Sequence, residues 1–163
     1  MSIVRLAFLS TLALLLLLPA TQAQEMILET EDRRIYTVEG EYAFYRDMLE
    51  SAITGEGLVI NAVGNIATML ERTGADLGGE NLYLQGESLE FCSAVYSRRM
   101  MEADPHSIVF CPYVIAIYEL ATEPDTIHIG YQRVPIVGDE ASRKALQDVE
   151  DLLDRIANNA MAF

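Results

Sequence analysis

LEFCSAVYSRRMMEADPHSIVFCPYVIAIYEL, residues 89–120, is the stretch around which the chain is organised. Residues 89–92 are a short apolar strand. Residues 93–103 have helical composition, with Cys92 where the helix begins. Asp104-Pro105 stops that helix, because proline lacks an N–H and restricts the residue before it. Residues 108–120 then read as the longest strand, apolar on both faces, which places it centrally in a sheet. Both cysteines fall in this stretch, Cys92 at the helix start and Cys111 just inside the second strand, together with His106 and the adjacent Arg98 and Arg99.

The two cysteines should come level. The helix descends about 16 Å at about 1.5 Å per residue, and a strand from Ile108 climbs about 3.3 Å per residue. The chain therefore returns to the height of Cys92 near Cys111 or Pro112. For an exported protein the first expectation is one structural disulfide. It would need Cα atoms about 4.4–6.8 Å apart and would contribute about 3 kcal/mol in the chain-entropy account. Two unpaired thiols, or a functional dithiol or metal pair, stay open beside it. A cysteine at a helix N-terminus has its thiolate stabilised by the backbone N–H groups, so Cys92 is expected to be the more reactive thiol.

Export is read from the first residues. Arg5 supplies one positive charge, residues 6–18 are an uninterrupted apolar run, Pro19 breaks it, and Thr21 and Ala23 give small residues for cleavage after Ala23. That is the layout of a signal peptide, and the run is shorter than the roughly 20 residues a bilayer span needs. The expected product is a periplasmic or otherwise extracytoplasmic protein, with no membrane association after signal removal. Its organisation is residues 1–23 signal peptide, 24–33 a flexible lead-in, and 34–163 one α+β domain, a normal single-core size.

The whole chain carries a formal net charge of −14, and losing Arg5 leaves 10 basic against 25 acidic residues. Such an acidic chain argues against nucleic acid and against anionic lipid. It names no partner. No CxxC, CxxCH, HExxH, GxSxG or phosphate-binding glycine loop is present, and the chain reads as a non-enzyme.

Along the remaining sequence, residues 34–39 alternate as a strand. Residues 41–54 place Phe44, Met48, Leu49, Ala52 and Ile53 at helical spacing. Residues 58–63 form a strand, 65–73 a short helix, and 82–84 a minor strand. Residues 126–134 pair back on the long strand. Residues 140–159 form the last helix, with Leu146, Val149, Leu153, Ile156 and Ala160 on one apolar stripe. The order β-α-β-(α)-β-α-β-β-α implies an α+β sandwich: a twisted, mostly antiparallel sheet with helices packed on one face.

Phe91-Cys92-Ser93-Ala94, Arg98–Met101, Ala103-Asp104-Pro105, Cys111-Pro112-Tyr113 and Tyr118-Glu119 resemble the core of the domain of unknown function 302 family. The resemblance runs from about Tyr36 to Arg155. Members commonly carry Asn-Pro after the aromatic, where this chain has Ser93-Ala94 behind Cys92. The resemblance implies a compact α+β fold, often a homodimer, with no established activity, and it carries over no catalytic residue.

Other candidates are weighed on chemistry alone. His106 follows Asp-Pro in a turn and reads as a solvated residue. With Cys92, Cys111 and Met100-Met101 it would make a soft-metal site for copper or haem. No cofactor is otherwise expected. His128 is expected to point to water. Arg98 and Arg99 should pair with Glu102, Glu90 or Asp104, or, with Arg72, receive a small anion. Tyr96, Tyr113, Tyr118 and Tyr131 are available to line a pocket. The functional expectation is a binding or accessory module taking an unknown small molecule or protein near Cys92–Tyr113. The alternative is a thiol- or metal-dependent redox protein using Cys92 and Cys111.

Overall fold

The computed structural model describes residues 25–162. The signal-peptide reading falls on residues 1–23, outside them. Among the described residues the elements are β1 (Glu25–Glu29), β2 (Arg33–Glu39), α1 (Tyr42–Gly55), β3 (Val59–Asn65), α2 (Ile66–Leu77), β4 (Tyr83–Cys92), α3 (Ala94–Ala103), a 3₁₀ segment (Pro105–Phe110), β5 (Tyr113–Leu120), β6 (Thr126–Gln132) and α4 (Glu140–Asn159). The six strands make one antiparallel sheet in the order β1-β2-β6-β5-β4-β3. The mixed α+β class and the antiparallel sheet expected from the sequence are the ones found; three of the four helices share one face, and α2 lies on the other.

Strand alternation sorts the side chains. Tyr113, Ile115 and Ile117 of β5 face the core beside Phe91 and Leu89 of β4 and Ile129 and Tyr131 of β6, and all are buried. Next outward, Tyr36 and Val38 of β2 lie opposite Ile129 and Ile127. Above this face run α1, α3 and α4, with α4 packed against the other two. Helix α4 is capped by Asp139, whose carboxylate accepts from Ser142 N at 2.9 Å. Its apolar stripe, Leu146, Val149, Leu153, Ile156 and Ala160, is wholly buried. Burying a Leu or Ile side chain stabilises by about 1.5–3 kcal/mol, so this helix is the largest single contributor to the core.

Helix α2 behaves differently. It packs along β4, and Ala67 approaches Gly86 on the side of the sheet that carries Tyr118. On that same side β2 and β6 come very close at Gly130. A Cβ there would stand 2.9 Å from Ile35 Cγ1 and 3.0 Å from the Arg34 carbonyl, so only glycine fits.

Four local readings change. The segment read as a lead-in contains β1, because residues 25–29 can pair with the alternating β2. The two short strands at 82–84 and 89–92 are one ten-residue strand, β4, whose register shifts between Tyr83 and Gln85. The long strand does not begin at Ile108. Pro105 starts a 3₁₀ segment that leaves Ile108 and Val109 exposed, and β5 begins at Tyr113. In α1 the core face is Tyr42, Tyr45, Leu49 and Ile53, while Phe44 is 46% exposed. The tyrosines outcompete it because the N-terminal turn of α1 meets the sheet on their side.

Candidate functional site

Strand β4 carries the chain to Cys92, paired with Val59, and Ser93 turns it off the sheet. The Ser93 hydroxyl accepts from Tyr96 N at 3.3 Å and caps α3. One turn on, Ser97 points back toward the sheet. Its Oγ lies 3.3 Å from Cys111 Sγ and 3.1 Å from the Tyr113 hydroxyl. Asp104 ends α3 and caps the 3₁₀ segment by accepting from His106 N at 2.9 Å. Cys111 closes that segment with its N–H on the Ile108 carbonyl at 3.1 Å, and a cis Cys111–Pro112 bond leads into β5. Phe91 packs edge-on to Tyr113 with ring centroids 6.1 Å apart.

Four side chains from three elements thus converge: Cys92, Ser97, Cys111 and Tyr113. Both cysteines are free thiols, half-buried. The expected disulfide is therefore not formed. Cys111 Sγ engages the Ser97 hydroxyl, and Cys92 neighbours Cys111 as a thiol rather than as a bonded sulfur. The expectation of a low-pKa Cys92 also fails. Cys92 is the last strand residue, one position before the cap, and Ser93 takes the capping role. Burial pushes its thiol up, and the adjacent Cys111 and Glu90 push it further. Burial likewise raises the Tyr113 phenol, to about 12. Tyr113 is therefore a donor at neutral pH. When it donates to Ser97, and Ser97 donates to Cys111, both hydroxyls are satisfied and a sulfur is left as acceptor.

The remaining predicted residues do not join this cluster. His106 is exposed in the 3₁₀ segment. Among the described residues no three His, Cys, Asp or Glu side chains stand close enough to hold a metal ion together, so the Cys92–Cys111–His106 trio is not assembled. Arg98 pairs with Glu102 at 2.9 Å on the solvent face of α3, one of the expected ion pairs, and Arg99 and Arg72 are exposed on different helices. Beside Tyr113 and Pro112 a cleft of about 300 Å³ opens, also lined by Phe110, Val114, Arg133 and Leu153.

The profile of one family, Domain of unknown function DUF302, matches residues 35–160. The chain belongs to the DUF302 family. A solved structure shares the fold: the crystal structure of an uncharacterized conserved protein DUF302 from Bacillus stearothermophilus, with a TM-score of 0.62 at 20% sequence identity, covering 77% of this chain and 97% of that one. No curated protein matches the chain. In this DUF302 domain no helix among the described residues is long and apolar enough to cross a membrane.

Two features of the DUF302 domain escaped the sequence reading. Ser97 looked like one more polar residue on an exposed helix, and only the return of Cys111 and Tyr113 gives it partners. His128 does lie on the sheet face opposite the core, as its alternation implies, but it is not solvated: it is 2% exposed. The β5–β6 register sets Tyr118 directly across from it, and the rings stack with centroids 4.8 Å apart and planes 6° apart. Nε2 lies 3.2 Å from Glu123 in the β5–β6 turn. Nδ1 has no hydrogen-bond partner among the described residues. Burial lowers the His128 pKa from its ordinary value despite Glu123, so the imidazole is neutral at pH 7. The hairpin register was the available signal, since counting back from the Glu123–Asp125 turn pairs Tyr118 with His128.

Proposed function

We propose that this chain is an exported binding or accessory module whose ligand-binding chemistry sits at the thiol–hydroxyl cluster of Cys92, Ser97, Cys111 and Tyr113. The observation that carries this reading is the meeting of two unbridged thiols, from β4 and from the entry to β5, with the Ser97 hydroxyl of α3 on the Cys111 sulfur. A pair kept only for packing has no need of that hydroxyl. Burial pushes the Cys92 thiol up, and a thiol held in its protonated form is a poor nucleophile at neutral pH, which favours reversible ligand binding over covalent catalysis at that sulfur.

Alkylation of the purified protein with iodoacetamide in the absence of reductant, read by mass spectrometry, tests this. Both Cys92 and Cys111 should carry the label. An unlabelled product two hydrogens lighter would make the pair a structural bridge and remove the site.

A further inference from the structure

A second opening lies at the other end of β4 from Cys92, and the strand register makes it. β3 pairs with β4 only as far as Asn65, opposite Glu87, and then leaves the sheet for α2 at Ile66. β4 runs on to Tyr83 with β5 on its other side. Among the described residues no strand therefore pairs with the second edge of residues 83–86. Such an edge offers backbone N–H and C=O groups. Beside it opens a groove of about 430 Å³, within the range of small-molecule sites, about 300–1,000 Å³. Asn65, Thr68 and Glu71 line it from the start of α2, and Asn81 and Gln85 line it from the β4 side.

Tyr42 of α1 completes the lining. It is 7% exposed, and its buried hydroxyl has no hydrogen-bond partner among the described residues. Burial pushes the phenol up, so the group keeps its proton and is a donor without an acceptor. Buried polar groups are seldom left so. The other lining residues narrow what could supply that acceptor. Glu71 is the one charged side chain on the groove. An anion would meet it with no lining cation to offset it, in a chain of net charge −14. An ammonium ion has no acceptor to offer the Tyr42 hydroxyl. A neutral hydroxyl group serves both ends, accepting from a phenol and donating to a carboxylate. The amides of Asn81 and Gln85 likewise donate and accept. Asn65 spends its Oδ1 on Thr68 N at 2.8 Å and keeps its own N–H groups. We propose that this groove binds a small neutral polyhydroxylated molecule, a sugar, with the Tyr42 hydroxyl donating to one ligand oxygen and Glu71 accepting from another. None of the thiol cluster's residues lines the groove, so either site can fail without the other.

Isotope-labelled purified protein is titrated with glucose, galactose and N-acetylglucosamine and followed by two-dimensional NMR. Glucuronate and tetramethylammonium serve as the anionic and cationic counterparts. At least one neutral sugar should give saturable shifts of the Asn65, Asn81 and Gln85 side-chain amides, and neither ion should. Tyr42→Phe should weaken affinity by about tenfold, the size of one hydrogen bond. The same variant without ligand should melt no lower than wild type, because the hydroxyl it removes bonds nothing in the free fold. Glu71→Ala, at an exposed position of α2, should also weaken binding and leave the fold intact. The proposal is overturned if no neutral sugar shifts these amides, or if either ion shifts them more strongly. It is equally overturned if either variant keeps wild-type affinity. A lower melting temperature for ligand-free Tyr42→Phe would overturn it too, by showing that the fold already uses the hydroxyl.

Discussion

Two polar clusters flank the core of this domain, and they are built on opposite plans. At the β1–β2–α4 side, Arg34 reaches Glu29 at 2.6 Å and Asp154 at 2.7 Å. Tyr36 and Tyr131 also donate to Asp154. Buried Glu150 accepts from Arg133 Nε at 2.9 Å and from Val134 N at 3.0 Å. Every carboxylate there has several partners drawn from different elements. At the β4–α3–β5 side, Cys92, Ser97, Cys111 and Tyr113 share two hydroxyl contacts and no charge. The ionic cluster is over-determined and fixes how α4 sits on the sheet. The thiol cluster is under-determined and holds groups that can change partners. Stability is concentrated at one and chemical latitude at the other.

Breaking the ionic cluster should have the largest effect. Glu150→Ala leaves the Val134 N–H without its acceptor and takes the buried one of Arg133's two carboxylate partners, Glu29 remaining, and breaking a buried charge pair from one side costs about 3–5 kcal/mol. Chemical denaturation should register a loss of that size. A loss under about 1 kcal/mol, the range of exposed pairs, would erase the contrast.

Acid should reveal the same plan in two stages. Burial lowers the folded pKa of His128 below its ordinary 6.5. The unfolded chain then takes up a proton that the fold refuses, and stability is complete above that value and declines as pH falls through it. A second decline follows in more acidic solution. For Asp154, burial alone would raise the carboxyl, but hydrogen bonds from Tyr36 and Arg34 and the Arg34 charge hold it below its ordinary 3.8. Its contribution is therefore present above 3.8 and disappears as pH drops through the lowered folded value. His128→Gln should abolish the first stage and keep the second in a melting-temperature profile. A first stage unchanged by the substitution would assign it elsewhere.

At the thiol cluster, Ser97→Ala should cost about 0.5–1.5 kcal/mol, the net worth of an ordinary hydrogen bond. The smallest effect belongs to the solvent face of α3. Removing the exposed Arg98–Glu102 pair by Arg98→Ala should change stability by less than about 0.5 kcal/mol. A larger loss would give Arg98 a role that its exposure does not suggest.

The contrast also explains what could be read in advance. The α4 stripe was legible because its 3.6-residue period runs through 20 residues without interruption. The nearness of Cys92 and Cys111 followed from the helix–return arithmetic, although the return path is a 3₁₀ segment and not a strand from Ile108. The ionic cluster was not legible. Arg34 and Asp154 are 120 positions apart, and nothing local in either residue's neighbourhood announces the other. The state of the thiols was hidden for a related reason. Levels along the chain fix proximity, but whether two sulfurs bond depends on side-chain direction, and Ser97 competes for Cys111.

The account stands on the claim that Cys92 and Cys111 form a working thiol pair and not a staple. Equilibrium unfolding of wild-type protein with and without a thiol reductant, beside a Cys92→Ala/Cys111→Ala double variant, addresses it most directly. The predicted result is a wild-type curve indifferent to reductant, and a double variant that stays folded with a loss of about 1–2 kcal/mol from two half-buried side chains. A drop of about 3 kcal/mol on adding reductant, the size expected for an opened disulfide loop, would contradict it.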